Sequence, residues 1–236
     1  MLAGALAAGA QVETVFVDAA VQLPQAAAAA VEAAVATGAR SFSLAAGVLD
    51  RVAGTVTPQP VLSVVRTPVA DVGALDGATF VVVCVDVRDP GNAGTVIRSA
   101  DAAGADAVVC CAGTVDPFNP KTVRASAGSV LHLPVIVDVE PGVLLDRLGA
   151  SGVATWGAAA RGGTPHTAVD WSVPSALLLG NEASGLSADV ESQVAGTVTI
   201  PMAGRADSLN VSTAASVLCF EVLRQRSNLH RMETRG

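Results

Sequence analysis

Three short stretches concentrate the polar side chains of this sequence that could do chemistry. The first, Asp86-Val-Arg-Asp-Pro-Gly-Asn-Ala-Gly-Thr-Val-Ile-Arg98, sets the amide of Asn92 and the guanidinium of Arg98 either side of Gly94. An amide with a guanidinium suits an anionic or hydroxyl-bearing ligand, because the guanidinium offers charge-assisted bonds in a planar fork. The second, Leu177-Leu-Leu-Gly-Asn-Glu-Ala-Ser-Gly-Leu186, places Asn181 and Glu182 between two glycines, Gly180 and Gly185. Glycine lets a ligand approach the backbone closely. The Glu182 carboxylate either caps a following helix or holds Asn92 or another polar group. The third, Ile200-Pro-Met-Ala-Gly-Arg-Ala-Asp-Ser-Leu-Asn210, is a polar loop with Gly204 as its flexible point. Asn210 is a good N-cap for the helix after it. Ser208 and Asn210 therefore stand where backbone N–H groups point outward. Each stretch, taken singly, also reads as an ordinary loop leading into a capped helix.

The elements that must position these residues follow from periodicity. Thr79 to Asp86 is a continuous β-branched run, as in a strand buried on both faces. The pattern predicts a helix from Asn92 to Ala103 and a strand from Ala107 to Cys111. It predicts further helices over 121–127, 143–148 and 188–193, and strands over 135–137, 153–156, 176–179 and 196–200. From Asn210 the apolar residues Val211, Ala214, Ala215, Leu218 and Val222 recur at helical spacing, with Arg224 and Arg226 suited to the helix end. Such alternation implies an α/β domain with a mostly parallel sheet. Ligands of such sheets bind beyond the carboxyl ends of the strands, where all three stretches begin.

Residues 1–69 read as a separate small α/β unit, and 70–236 as the larger domain. In the small unit, Val12 to Val17, Ser41 to Leu44 and Val61 to Arg66 are strand-like, and Pro24 opens an Ala-rich helix to Ala36. The first ten residues read as the tail of a helix whose beginning is missing. Thr67 to Ala78 carries helix and strand breakers and reads as the linker.

Composition excludes several classes. The chain has 236 residues and a net charge of −7, against a generally basic nucleic-acid binder, although a local patch can still contact phosphates. Lys121 is the sole lysine, so Arg supplies nearly all positive charge. No two glycines are spaced G-x-G, no P-loop lysine exists, and no G-x-S-x-G elbow occurs. His132, His166 and His230 have no metal-ligand spacing, so no metal is expected. Cys84, Cys110, Cys111 and Cys219 show no C-x-x-C and read as small buried hydrophobes in a reducing compartment. No basic n-region opens the chain and no apolar run has membrane-spanning length, so the expected location is the cytoplasm.

In order and spacing, the three stretches resemble the three motifs of the SpoU (TrmH) RNA ribose 2′-O-methyltransferases of the SPOUT superfamily. The resemblance runs over about residues 79–226, through N-x-G-x-x-x-R, L-x-x-G-x-E-x-x-G-L and I-P-M-x-G-x-x-x-S-L-N-V-S-x-A. It implies an α/β methyltransferase domain with a deep trefoil knot, preceded by a small RNA-binding domain that here lacks its opening strand and helix. It implies S-adenosylmethionine as cofactor, held by Leu178, Gly180, Ile200, Met202, Ser208 and Leu209, and a homodimer packed through the C-terminal helices. The reaction implied is methyl transfer to a ribose 2′-hydroxyl, with 23S ribosomal RNA as the expected substrate. The alternatives are a transfer-RNA 2′-O-methyltransferase and a non-catalytic RNA-binding module that keeps the fold; an unrelated nucleotide-binding α/β enzyme would want the missing G-x-G. The catalytic residues implied are Arg98, Asn92, Glu182, Ser208 and Asn210, with Arg88, Lys121, Arg124 and Arg205 as RNA contacts. An Arg with a pKa above about 12 is a poor general base. Arg98 is therefore read as binding the neighbouring phosphate and orienting the hydroxyl.

Overall fold

Hydrophobic residues alternate in two separate blocks, and each block closes on its own core. The computed structural model describes residues 1–52 and 58–233, and it divides into one unit ending at Pro68 and another beginning at Val69. The N-terminal unit runs α1 (Leu2–Ala7), β1 (Val12–Asp18), α2 (Gln25–Ala36), β2 (Arg40–Leu44), α3 (Val48–Val52) and β3 (Val61–Val65). Its sheet has the order β2-β1-β3, with β1 parallel to β2 and antiparallel to β3. Val12, Val15, Ala34 and Ala39 form its small core, which Leu2 and Leu6 of α1 join. Phe16 and Phe42 stack at 5.7 Å across β1 and β2, and Phe42 remains about half exposed.

The second unit is an eight-stranded parallel sheet. In chain order it comprises β4 (Val69–Ala70), β5 (Phe80–Cys84), α4 (Pro90–Ala102), β6 (Ala107–Cys111), α5 (Pro120–Ala125), β7 (Val135–Val139) and α6 (Pro141–Ala150). Then follow β8 (Ala154–Ala158), β9 (Thr164–Pro165), β10 (Ser175–Leu179), α7 (Ala188–Glu191), β11 (Gly196–Thr199) and α8 (Val211–Glu233). The strand order is β4-β7-β6-β5-β10-β8-β11-β9, every pairing parallel. β5, β6 and β10 are buried along their whole length, as the unbroken β-branched and leucine runs require. Because side chains alternate, Phe80, Val82 and Cys84 pack on the face that carries α4 and α8, while Val81 and Val83 meet the α6 face.

Several boundaries move for identifiable reasons. Most of the expected linker is structured: Val69–Ala70 is an edge strand, and Val72–Leu75 is a 3₁₀ turn capped by Asp71 and buried through Leu75. α4 starts at Pro90, two residues before Asn92, because Asp89 accepts the Asn92 N–H at 2.9 Å and proline suits the first helical position. α5 stops at Ala125 because Ala127 and Gly128 have φ of +53° and +101°. α8 continues to Glu233, so Arg224 and Arg226 are not at its end. Arg224 pairs with Glu221 at 2.7 Å, and Arg226 donates to the carbonyls of Trp171 and Thr79 at 3.0 and 2.7 Å. All four cysteines are free and buried; burial pushes the Cys219 thiol up to about 12.

Candidate active site

The parallel topology delivers three loops to one edge of the sheet. They leave the carboxyl ends of β5, β10 and β11, and they carry the three polar stretches. Glu182 joins the first two. Its carboxylate accepts the backbone N–H groups of Arg88 and Asp89 at 3.3 and 3.1 Å and the Asn92 side-chain amide at 3.0 Å. Of the two roles left open for Glu182, the structure shows the bond to Asn92, and the helix that follows is capped by Ser187 instead. Asn92 in turn accepts at Oδ1 from Asn210 Nδ2 at 3.1 Å. Asn210 uses its own Oδ1 to cap α8, accepting the N–H and hydroxyl of Ser212 at 2.9 and 2.7 Å. A continuous chain of amides thus runs from the β10 loop through α4 to the start of α8. Burial pushes the Glu182 carboxyl up, but bonds from Asn92, its own N–H and the Asp89 and Arg88 amides outweigh it, and the net shift is downward.

Asn181, and Asp86, to which the sequence reading gave no role, fasten the same loops. Asn181 donates to the Asp86 carbonyl at 3.0 Å and to its carboxylate at 3.2 Å, while its Oδ1 accepts the N–H groups of Ala183 and Ser184. Asp86 also pairs with Arg88 at 2.8 Å, and this bond raises the Arg88 pKa. Asp86 holds φ at +57°, a conformation rare for a residue with a Cβ. The signal that could have found them was their place at the two strand ends. Arg161, after β8, pairs with Asp207 of the third loop. Nothing in the spacing of those two residues announces that contact.

Beside this network lies a cavity of about 350 Å³. It is walled by the loops 158–160, 180–186 and 200–209 and by Val211, Ala214 and Leu218 of α8. Gly180, Ile200, Met202, Ser208 and Leu209 line it, together with Glu182 and Glu191. Leu178 does not: alternation along β10 turns its side chain into the opposite layer with Val81 and Val83, and Leu179 lines the cavity in its place. Gly180 also answers to its own loop. A Cβ at Gly180 would lie 2.3 Å from the Gly185 carbonyl carbon, so the loop's own closure, through the Asn181–Gly185 backbone pair, requires that glycine. A Cβ at Gly94 would lie 2.5 Å from both Ala125 Cβ and the Thr122 carbonyl; it is the contact point of α4 with α5.

Arg98 stands apart from the amide chain. It is exposed, and among the described residues it makes no salt bridge. Six residues beyond Asn92, it lies about 9 Å along the helix and roughly 120° around it. Ser99, the next residue, faces α8 through Ser216 at 2.8 Å. Arg88, Lys121, Arg124 and Arg205 are all exposed, Lys121 and Arg124 on α5 and Arg205 in the third loop. The described residues hold no group of three or more His, Cys, Asp or Glu side chains that could bind a metal. The His230 side chain lies outside the described residues.

A parallel sheet with three such loops and a cavity beneath the last helix defines a SPOUT-type methyltransferase domain. The SpoU rRNA Methylase family model matches residues 79–220, and the chain belongs to that family. It is 37% identical over 186 residues to the 23S rRNA (guanosine(2553)-2′-O)-methyltransferase RlmP of Bacillus subtilis, covering 79% of this chain and 73% of that one. It is 36% identical to the 23S rRNA (uridine(2479)-2′-O)-methyltransferase of Streptomyces viridochromogenes, covering 72% of this chain and 61% of that one. Among solved structures, the SpoU methyltransferase AviRb of S. viridochromogenes in complex with AdoMet aligns at a TM-score of 0.83 with 31% identity, over 96% of this chain and 88% of that one.

Proposed function

We propose that this SpoU-family enzyme methylates a ribose 2′-hydroxyl of 23S ribosomal RNA with S-adenosylmethionine. The observation that carries the reading is the amide chain Glu182–Asn92–Asn210 set beside the cavity, since it joins all three motif loops in one place. The cavity suits the cofactor. Ile200, Leu209 and Leu218 give an apolar wall for adenine, and the carboxylates of Glu182 and Glu191 suit a ligand bearing sulfonium and ammonium charges. S-adenosylmethionine supplies a methyl carbon activated by its sulfonium. With it bound, the 2′-oxygen would bond to that carbon as the methyl–sulfur bond breaks, the hydroxyl proton leaving to solvent.

The residues of this chain bind and orient. Arg98 holds the phosphate beside the target ribose and aligns its hydroxyl. Asn92 is held from both sides and presents a fixed amide at the site. Glu182, with its pKa lowered and its oxygens engaged, acts as a positioning residue and not as the proton acceptor. Ser208 and Asn210 shape the cavity mouth. Arg88, Lys121, Arg124 and Arg205 contact RNA phosphates. In the N-terminal unit the half-exposed Phe16–Phe42 pair, in a chain with few aromatics, suits stacking against unpaired bases. Val217 and Phe220, 37% and 50% exposed on the outer face of α8, support a homodimer through that helix. The trefoil knot belongs to the same reading, supported by the return of the chain from β11 to α8, which packs on α4 over the sheet centre. No helix among the described residues is long and apolar enough to cross a membrane, and the four free thiols suit the cytoplasm.

The test is methyl transfer from labelled S-adenosylmethionine to an unmodified 23S transcript, followed by nucleoside analysis. A ribose 2′-O-methyl product is expected. Arg98→Ala should slow single-turnover transfer by roughly a hundredfold while cofactor affinity stays near wild type. Arg98→Lys should recover only part of the rate, lacking the planar fork. A normal rate for Arg98→Ala would make that residue structural.

A further inference from the structure

The edge of the sheet holds a second cavity, also of about 350 Å³, on the other side of the β5 loop from the cofactor cavity. We infer that it takes the base of the target nucleotide and selects guanine, an inference that rests on the ribose-methyltransferase reading and extends it to the substrate base. Thr114, Asp116, Phe118, Val137 and Asp138 line it. Its position follows from the topology. β6 and β7 lie beyond β5 as seen from β10, and neighbouring strands are about 4.8 Å apart, so β7 is about 10 Å from β5. That distance matches the reach from a ribose held over the β5 loop to the far edge of its base. The two loops are tied together: Val115 N–H donates to the Val87 carbonyl at 2.9 Å, and the Thr114 hydroxyl to the Cys84 carbonyl at 3.0 Å. A base in this cavity is therefore registered against the same loop that carries Arg88 and leads into Asn92 on α4.

The lining has the chemistry of a base reader. β7 follows β6 in register up to Cys110↔Val137, after which Cys111 pairs with Val139, so Asp138 is an extra residue bulged from the ladder. Its φ is +59°, and its exposed carboxylate accepts no hydrogen bond among the described residues. Bulges beside active sites re-aim a side chain in this way. Asp116 uses Oδ1 to accept the Phe118 N–H at 2.9 Å, and among the described residues its second oxygen has no partner. Phe118 and Val137 supply apolar walls. The Watson–Crick edge of guanine presents two adjacent N–H donors, which one carboxylate accepts together. Uracil offers one donor flanked by two acceptors, adenine sets an acceptor beside its amine, and cytosine sets two. A carboxylate repels each of those acceptors. The negative lining also keeps phosphates out, leaving the backbone to the cations of Arg88, Lys121 and Arg124.

Two measurements test this. In the 23S transcript assay the methylated nucleoside should be 2′-O-methylguanosine, and Asp138→Asn should lower kcat/KM by roughly ten- to hundredfold with cofactor affinity unchanged. Asn tolerates the left-handed backbone, so the variant keeps the bulge. Separately, guanosine monophosphate titrated at millimolar concentration should shift the amide resonances of Thr114 and Asp138, and uridine monophosphate should not. A 2′-O-methyl product on another base overturns the guanine assignment while leaving ribose methylation intact. A guanosine product with Asp138→Asn at the wild-type rate, or equal shifts with both nucleotides, overturns the pocket. Absence of any ribose product, with selective guanosine shifts, overturns the function and not the pocket.

Discussion

Removing the Glu182 carboxylate should loosen two loops at once. Glu182→Ala strips the acceptor from the Arg88 and Asp89 amides at 3.3 and 3.1 Å and from the Asn92 side chain at 3.0 Å. A bond to a charged acceptor is worth about 1.5–3 kcal/mol where it is shielded. Glu182 is exposed, and solvent screening brings the three together down to about 1–2 kcal/mol. For a protein of this size the melting temperature should fall by roughly 2–8 °C at neutral pH. The pH dependence has a definite sign. The folded pKa lies below the unfolded value, so the stabilisation is complete above about 4.3 and is lost as pH falls through the folded value. Wild type and Glu182→Ala should therefore differ by a constant amount from pH 8 to 5 and converge in acid, as pH falls through the lowered folded value. Held then only by Asn210, Asn92 is less firmly oriented, and methyl transfer should fall roughly ten- to hundredfold. Calorimetry across pH and single-turnover transfer read the two effects. A variant that melts with wild type at pH 7 and transfers methyl at the wild-type rate would refute the clamp.

Three other outcomes are expected. Gly94→Ala should lower stability by about 1–3 kcal/mol in denaturant unfolding, because its Cβ meets Ala125 Cβ and the Thr122 carbonyl at 2.5 Å. Gly180→Val should abolish S-adenosylmethionine binding in titration calorimetry, through disruption of the 181–185 turn; unchanged affinity in a folded variant would show that this loop does not wall the cofactor. If the proposed dimer packs through α8, Phe220→Asp should give a monomer in light scattering where wild type is a dimer, with little change in melting temperature, since that ring is 50% exposed within one chain.

Local pattern alone located the inner strands of the second unit, because β5, β6 and β10 are β-branched or leucine runs that no exposed element could carry, but it missed the two-residue edge strands Val69–Ala70 and Thr164–Pro165, which are too short to show a pattern. It also ordered the three motif loops, and their spacing was enough to show the family resemblance. The helix starts were less legible: Asp89 and Pro90 fix the α4 terminus through one capping bond, which a hydrophobic period does not register. Side-chain partners were less legible still. That Glu182 reaches Asn92 rather than capping α7 depends on β10 lying next to β5, a pairing between segments about 90 positions apart in the chain. The exclusion of Leu178 from the cavity depends on the phase of one strand against the sheet, and a shift of one residue would have exchanged it with Leu179. Gly94 and Gly180 show the same division. The sequence places both beside polar motif residues, but what presses against Gly94 is α5 and what presses against Gly180 is the far side of its own turn, and only the packed structure brings them there.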